Sequence, residues 1–409
     1  MQCVVQPLHR TYGAFADFFR ATIIVKNLAL PIKNESIAMS KLFESLALGN
    51  LRLENRIIIA PMCQYSAQDG SAGDWHMMHL GQLAISGAGL LILEATAVSP
   101  EGRISPNDLG LYSEDNEAAL GRVLQALRIY SPIPVAIQLS HAGRKASTRA
   151  PWDGGTQIRP EETQGWKTEA PSAVSHSQGE DEPKALTHSD LKRIRQDFVK
   201  SAERAARLGL DGIEVHAAHG YLLHQFLSPL ANHRDDDYGG SLENRMRFPL
   251  EVFEAVRAAF PAENPVWVRL SASDWVAGGW DIEGTVALSK VLKTRGCAAI
   301  HVSSGGVSSQ QAIKLGPGYQ VHFAQRIKAE VGLPTIAVGL ITEAEQAEAI
   351  IANEEADAIS LARAMLYDPR WPWHAAAKLG ANVNAPKQYW RCQPREHTDL
   401  FAAASYGQR

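Results

Sequence analysis

The chain has 409 residues, of which 45% are hydrophobic and 21% are charged, and its formal net charge is −4 at pH 7. This length suits one large domain or two ordinary ones, and the mildly negative charge gives no basic footprint for nucleic acid. No apolar run reaches the roughly 18 residues that a membrane helix needs. The four cysteines form no C-x-x-C pair, which argues against a zinc ribbon or a cysteine-ligated iron–sulfur cluster and suits a reducing compartment such as the cytoplasm.

The first 38 residues differ in composition from the rest of the chain. They are poor in acidic residues and carry four basic ones, which are Arg10, Arg20, Lys26 and Lys33. Two explanations stay open. The segment is an organellar presequence, or it is an upstream extension of the gene model, with Met39 as the real start. In both cases we expect residues 1–38 to be disordered and outside the fold.

Eight short apolar runs alternate with helix-length segments between residues 39 and 380. Each run is continuous and a few residues long, as is typical of parallel strands that are buried on both faces. The runs are Ile57–Ala60, Leu90–Ala95, Val135–Leu139, Gly212–Val215, Val266–Leu270, Ala299–Val302, Thr335–Val338 and Ala358–Leu361. This alternation predicts an α/β fold, a single-domain (β/α)8 TIM barrel. A doubly wound open sheet is the alternative, but its dinucleotide-binding form would carry G-x-G-x-x-G after the first strand, where P-M-C-Q-Y stands instead.

Helix boundaries and loops follow from capping residues and composition. Three helices are expected after residues that can cap them, namely Asp190–Leu208 after Ser189, Leu242–Phe260 after Ser241 and Glu343–Ile351 after Thr342. Gly209 is the expected stop of the first of them. The polar segment Thr148–Thr187 predicts a long excursion over the carboxyl end of the third strand, partly a hairpin, and loops of this length are commonly functional lids. Residues 381–409 leave the barrel pattern and form a C-terminal tail.

Polar side chains follow the predicted strands, and barrel active sites form at these carboxyl ends. Each one singly suits a structural role, but together they predict a site at one rim. In chain order they are Cys63 and Tyr65, Ala95 and Thr96, Gln138 and His141, His216 and His219, Arg269, Ser303 and Ser304, Gly339, and Arg363.

The most informative cluster is H-A-A-H-G-Y, which contains His216, His219 and Tyr221. Two imidazoles and a phenol within six residues at a strand end can hold and protonate a carbonyl compound. The alternatives are a metal site and core histidines with ordinary hydrogen bonds. Zinc needs three or four ligands, and no third ligand is placed convincingly, so no metal is expected.

The last two strands end in V-G-L-I-T and L-A-R-A, a position where barrels commonly bind phosphate. Gly339 lets the backbone approach an anion, and Thr342 opens a helix whose N-terminal N–H groups attract one. Arg363 can fork onto phosphate oxygens. These features predict a phosphate site.

Five segments in this order resemble the Old Yellow Enzyme family of flavin ene-reductases, and the resemblance spans residues 41–391. The Cys63/Tyr65 pair is similar to its thermophilic-like branch, which includes bacterial xenobiotic reductases. The segments are P-M-C-Q-Y (Pro61–Tyr65), E-A-T-A-V (Glu94–Val98), Q-L-S-H-A-G-R (Gln138–Arg144), E-V-H-A-A-H-G-Y-L-L-H-Q-F-L-S-P (Glu214–Pro229) and R-D-D-D-Y-G-G-S-L-E-N-R (Arg234–Arg245).

The resemblance implies a barrel that binds FMN non-covalently. It implies that Gln138 hydrogen-bonds the pyrimidine edge of the flavin and that Arg269 lies near N1/O2, where a cation favours the anionic reduced form. The remaining implied FMN contacts are Pro61, Met62, Cys63 and Ala95 along the ring and Gly339, Ala362 and Arg363 at the phosphate. Ala362 departs from the glycine that relatives often have there, but its N–H remains available.

The resemblance also implies the reaction. Hydride passes from NADPH or NADH, through flavin N5, to the β-carbon of an α,β-unsaturated carbonyl compound. His216 and His219 would bind the carbonyl oxygen and Tyr221 would supply a proton to the α-carbon. Cys63 would tune the flavin without acting as a nucleophile, and Tyr65 would contact the substrate.

The tail segment A-P-K-Q-Y-W-R-C resembles a C-terminal motif in which an arginine enters the neighbouring subunit's site. Arg391 is therefore a candidate substrate contact, in a homodimer or homotetramer anchored by Tyr389 and Trp390. The alternative is that the segment packs back on its own barrel, and Cys392 replaces the glycine that often follows in relatives.

Two other functions compete with the ene-reductase. A dienoyl-CoA-reductase-like flavoprotein would carry a cysteine cluster and further nucleotide-binding domains, which this sequence does not show. A flavin-binding barrel with a redox-sensing or nitro-compound-reducing role is the other alternative. The intact histidine pair and Tyr221 favour the ene-reductase.

Overall fold

The computed structural model describes residues 40–405, so the predictions for residues 1–38 and for Met39 lie outside the described part. Within that part, no helix combines the length and apolarity required to cross a bilayer.

Eight parallel strands close into a barrel in the described chain, each paired with the next and the last with the first. This confirms the predicted (β/α)8 fold, and the open sheet is ruled out. The strands are β1 Ile57–Ile59, β2 Leu90–Ala97, β3 Val135–Ser140, β4 Gly212–Ala217, β5 Val266–Ser271, β6 Ile300–Ser303, β7 Thr335–Ala337 and β8 Ala358–Leu361. Every strand residue is buried, which explains the uninterrupted apolar runs.

Eight helices of nine or more residues surround this barrel within residues 40–405. They are α1 Asp74–Ala84, α2 Glu114–Tyr130, α3 His188–Arg207, α4 Leu242–Ala259, α5 Ile282–Thr294, α6 Val321–Val331, α7 Ala344–Ala352 and α8 Trp371–Leu379. Shorter α-helices cover Leu222–Leu227 and Arg363–Tyr367, and 3-10 turns cover Lys41–Phe43, Pro100–Gly102, Gly143–Lys145, Pro151–Asp153 and Lys387–Cys392. An antiparallel pair, Leu46–Leu48 and Leu51–Leu53, precedes β1.

The helix starts were predicted correctly in one case of three. Ser241 caps α4, because its Oγ accepts from the Asn244 N–H. The prediction of Ser189 was wrong: Thr187 caps α3, where its hydroxyl accepts from the Asp190 N–H while the Asp190 carboxylate accepts from the Thr187 N–H. This reciprocal capping box satisfies two backbone donors, which Ser189 cannot do.

The start of α7 was also predicted wrongly. Thr342 does not cap it, since its own N–H donates to Gln346 Oε1 and the cap residue is Glu343. The stop at Gly209 is confirmed, because this residue follows α3 in the left-handed region at φ 64°.

The excursion after β3 reaches the rim, and part of it is hairpin-like, as predicted. Thr148 and Gln157 form an antiparallel bridge, and the Arg149 N–H donates to the Thr156 carbonyl over 2.9 Å. The short strands Glu169–Ala170 and Lys184–Ala185 pair in parallel instead, so they are not the arms of a hairpin. The guanidinium of Arg144 donates to the carbonyls of Val174 and Ser175, which ties the excursion to the barrel.

The described tail packs on its own barrel. Its Val383, Leu400 and Phe401 form an apolar cluster with Trp373 of α8. Trp390 packs against the same cluster and donates its Nε1–H to the Ala385 carbonyl. Trp390 is thus half-buried within its own chain, and its role as an anchor for a partner subunit stays a prediction.

Candidate active site

The carboxyl end of β4 brings the two histidines and Tyr221 together, as the sequence predicted. The ring centroids of His216 and His219 lie 5.1 Å apart, and those of His216 and Tyr221 lie 5.0 Å apart, both edge to face. His216 is a residue of β4 itself, because β4 continues past Val215 to Ala217 along β5. The three rings thus form one group at the rim.

The turn that carries this group is held by backbone contacts. His219 adopts φ 59°, and its N–H donates to Ser271 Oγ over 2.9 Å. A side chain at Gly220 would collide with the carbonyl of Gly306, and a side chain at Gly306 would collide with His219. The loops after β4 and β6 therefore touch backbone to backbone, which requires glycine at both positions.

The histidines are hydrogen-bond donors and not cations. Burial, and then the charge of Arg269, lowers the pKa of both well below its usual value. The Ala218 N–H donates to His216 Nδ1 over 3.2 Å, so the neutral His216 ring carries its proton on Nε2. His219 Nε2 lies 2.7 Å from Ser303 Oγ, a partner that orients the ring.

Tyr221 keeps its proton and lies below a lysine. Burial raises the pKa of the phenol well above its usual value. The ammonium of Lys145 lies 5.1 Å from the centroid of the Tyr221 ring and donates to the carbonyls of His219 and Gly306. Burial lowers the pKa of Lys145 to about 8. Sequence reasoning missed Lys145, although it directly follows the motif that ends at Arg144.

The loop after β1 places Cys63 and Tyr65 beside this group. Cys63 packs with Ala95 and Tyr221, and burial raises the pKa of its thiol well above the usual value. Tyr65 contacts Trp152 of the excursion edge to face at 5.6 Å. Cys63 is therefore a neutral thiol, and the excursion reaches the rim through Trp152.

Arg269 is a buried cation in need of an acceptor. Its side chain is 6% exposed, and no ion pair or hydrogen bond from its guanidinium occurs within residues 40–405. In the register of β4 with β5, Arg269 pairs with His216. A buried guanidinium without a hydrogen-bond acceptor is costly, so this position fits a group that offers acceptors. Gln138 is buried on β3, and its Nε2–H donates to Glu214 Oε1 over 2.6 Å.

The predicted phosphate residues lie at the ends of β7 and β8. Gly339 has φ 122°, and the Gln320 side chain occupies the space of a Cβ there. Ala362 immediately precedes the helix Arg363–Tyr367, and Arg363 is exposed. Arg363 and Thr342 line the same cavity, which has a volume of about 600 Å³.

Pro61 and Met62 are half-buried in the loop after β1.

Arg391 is not brought to the rim of its own chain. It is exposed on the turn Lys387–Cys392, and no hydrogen bond or ion pair from it occurs in the described residues. The preceding residues Pro386 and Tyr389 border a cavity of about 350 Å³ against α1 and α2.

In residues 40–405 no group of three or more His, Cys, Asp or Glu side chains could hold a metal ion.

Asp108 is a second residue that sequence reasoning missed. It is 1% exposed, accepts from Ser105 Oγ over 2.7 Å and accepts from the Ile104 N–H over 2.8 Å. Burial raises the pKa of its carboxyl to about 7. Ile104 packs in the same small cluster as Cys63, so Asp108 supports the wall of the site.

The raised pKa of Asp108 predicts a pH-dependent stability. The folded carboxyl binds its proton more tightly than the unfolded one, so this contribution is complete below pH 4 and is lost as the pH rises to 7. At 1.36 kcal/mol per pKa unit, the loss amounts to about 4 kcal/mol. Asp108→Asn, which keeps the shape without the charge, should unfold at higher urea concentration than the wild type, by a larger margin at pH 8 than at pH 5. Equal pH dependence of the two proteins would contradict the raised pKa.

Comparison with known proteins agrees with a redox barrel of this kind. The sequence model of the NADH:flavin oxidoreductase / NADH oxidase family matches residues 41–382. An NADPH dehydrogenase from Listeria monocytogenes is 43% identical over 355 residues, 86% of this chain and 99% of the relative. One from Geobacillus thermodenitrificans is 42% identical over 352 residues, 86% of this chain and 98% of the relative. The structure of morphinone reductase in complex with tetrahydroNAD is 30% identical with a TM-score of 0.68 and covers 88% of this chain and 96% of its own.

The fold and the matches together define a barrel oxidoreductase. The chain belongs to the NADH:flavin oxidoreductase / NADH oxidase family, the Old Yellow Enzyme family that its motifs resemble. It is an NAD(P)H-dependent flavin oxidoreductase whose cofactor is FMN. The unpartnered guanidinium of Arg269 fits this cofactor, because a flavin offers carbonyl and ring-nitrogen acceptors.

Proposed function

We propose that this protein is an ene-reductase that reduces the activated C=C bond of α,β-unsaturated carbonyl compounds. The observation that carries the proposal is the group of two neutral imidazoles and one protonated phenol at the end of β4. When bound, FMN accepts hydride from NADPH or NADH and supplies it to the β-carbon of the alkene. Residues Pro61, Met62, Cys63, Ala95, Gln138 and Arg269 would hold its ring, and Gly339, Ala362 and Arg363 its phosphate.

His216 and His219 bind the carbonyl oxygen of the substrate. Negative charge develops on that oxygen as the β-carbon receives hydride, and an N–H donor aimed at it stabilises the transition state more than the ground state. The Nε2–H of His216 is such a donor, since its Nδ1 is occupied by the Ala218 N–H. The turn is fixed by Ser271 and Ser303, so little reorganisation is required.

Tyr221 donates the proton to the α-carbon. Because the pKa of Tyr221 is raised, the phenol stays protonated until it transfers the proton to the carbanion of the substrate. The resulting phenolate lies near the Lys145 ammonium, whose attraction lowers the energy of that charged state. The thiol of Cys63 contacts the substrate or the flavin as a neutral group, and Tyr65 borders the entrance.

The first prediction is spectroscopic and tests this function. The purified protein should be yellow, release FMN intact on denaturation, bleach with NADPH or NADH without oxygen, and recover its colour with cyclohexenone. A colourless protein that cannot be reconstituted with FMN would refute the cofactor assignment. Bleaching without recovery on a panel of enones would favour the alternative, a redox-sensing or nitro-compound-reducing barrel.

The active unit in this proposal is a homodimer or homotetramer. Exposed apolar side chains occur on α1, where Trp75 is 48% and Met78 62% exposed, and exposed patches of this kind mark interaction sites. The Nε1–H of Trp75 donates to Gln64 Oε1 in the loop that carries Cys63. A partner subunit that packs on α1 would therefore lie beside the rim, and this arrangement would bring the partner's Arg391 to the site.

A further inference from the structure

A buried carboxylate lies inside the barrel and takes no part in the proposed reaction. Glu214, in the middle of β4, is 0% exposed. Its Oε1 accepts from Gln138 Nε2 over 2.6 Å, and its Oε2 accepts from Trp267 Nε1 over 2.6 Å and from His301 Nδ1 over 2.7 Å. The three donors come from three different strands, so the carboxylate joins β3, β5 and β6 to β4.

Glu214 carries its negative charge at all ordinary pH values. Burial alone would raise its pKa, but His301, the charge of Arg269 and the hydrogen bond from Trp267 outweigh burial and lower the pKa to about 2. The desolvation of such a charge costs several kcal/mol unless partners compensate it. Arg269 is the buried cation of this region, and it lies opposite His216, two residues along β4 from Glu214. The charge of Glu214 raises the pKa of Arg269 against the effect of burial, so each charge partly offsets the other.

The carboxylate also dictates which way the Gln138 amide faces. An ionised carboxylate only accepts hydrogen bonds, so at 2.6 Å its partner must be the Gln138 NH₂ group. Turning the amide over would bring Oε1 against Glu214 Oε1, two acceptors with no proton between them. The Gln138 carbonyl oxygen is thereby committed to accept from a group other than Glu214.

We propose that Glu214 is a positioning residue for the flavin: it holds Gln138 as an acceptor for the pyrimidine N–H and offsets the charge of Arg269. The inference rests on the proposed flavin contacts of Gln138 and Arg269. A negative charge in this place disfavours the anionic reduced flavin, so its removal should make the flavin easier to reduce.

The test is Glu214→Gln, measured on the holoenzyme by dye equilibration and by FMN titration of the apoprotein. The equilibrium constant for two-electron reduction of the bound flavin should rise about tenfold. This corresponds to a reduction potential that is more positive by about 30 mV. FMN affinity should fall about tenfold because the Gln138 amide is no longer held. The matched control is Trp267→Phe, which removes one donor and keeps the charge, so its potential should stay near the wild-type value.

Two further variants keep the test decisive if Glu214→Gln does not fold. Glu214→Asp should keep the potential, because it keeps the charge, and Gln138→Leu should reproduce the affinity loss. A Gln138→Leu protein with wild-type FMN affinity would overturn the positioning role. An unchanged potential in Glu214→Gln, or an equal shift in Trp267→Phe, would overturn the electrostatic role. These readouts need no alkene turnover, so a wild type that fails to reduce enones would reject the proposed function without deciding this inference.

Discussion

Replacing His216 and His219 together by alanine is expected to slow the reduction of cyclohexenone at least about 100-fold, while FMN stays bound. Both imidazoles are neutral and lie edge to face at the rim, and the Nε2–H of His216 is available because the Ala218 N–H occupies its Nδ1. Without them, the oxygen of the substrate would develop its charge unaided. The rate of flavin reoxidation by the enone, followed by the stopped-flow absorbance of the flavin, measures this step directly.

Ser303→Ala is the matched control for the histidine variant. It removes the hydroxyl that contacts His219 Nε2 but leaves both imidazoles in place. We expect a loss smaller than that of the double variant, because a less oriented donor still donates. Phenol ligands should bind the double variant weakly. Unchanged turnover in the double variant, with normal FMN content, would reject the role of the histidines.

A mixture of two impaired variants is expected to recover activity if Arg391 acts on the partner subunit's site. One variant carries Arg391→Ala, and the other carries the two histidine substitutions. In a random mixture of symmetric dimers, about a quarter of the sites combine intact histidines with an intact arginine from the neighbour. The tail packs on its own barrel through Trp390, and this leaves Arg391 exposed and unengaged among the described residues.

The experiment depends on subunit exchange, which a tagged wild-type chain can verify by co-purification. Arg391→Ala alone should raise the KM for the enone about tenfold, the effect of losing about 1.4 kcal/mol of binding. Lys387→Ala serves as the matched control, since it removes a neighbouring charge that stacks on Trp390. A mixture no more active than its parents, despite exchange and a large effect of Arg391→Ala, would place the arginine in its own subunit's site.

The barrel was predictable because a parallel strand buried on both faces has a local signature. The ends of the strands were less so. β4 extends through His216 to Ala217 because β5 continues beside it, and pairing with a distant strand leaves no mark in the local sequence. In the same way Thr187 and Ser189 both can cap a helix, and only the reciprocal bond with Asp190 selects the first.

The candidate site was predictable where its groups share one motif and obscure where they meet across the chain. His216, His219 and Tyr221 lie within six residues. The partners of Glu214 are 53 to 87 residues away. The role of Lys145 depends on its contacts with the carbonyls of His219 and Gly306, and the role of Asp108 depends on the apolar residues around it. Burial and long-range contact decide these roles, and neither can be read from residue type and spacing.

The contact between Gly220 and Gly306 limits how this enzyme can be redesigned. A side chain at either glycine would push the loops after β4 and β6 apart, and Lys145 bonds a carbonyl on each of them. One substitution would thus disturb the histidine, the tyrosine and the lysine together. Libraries that seek altered stereochemistry should leave this pair untouched and diversify Tyr65 and Trp152, which meet across the entrance from separate loops.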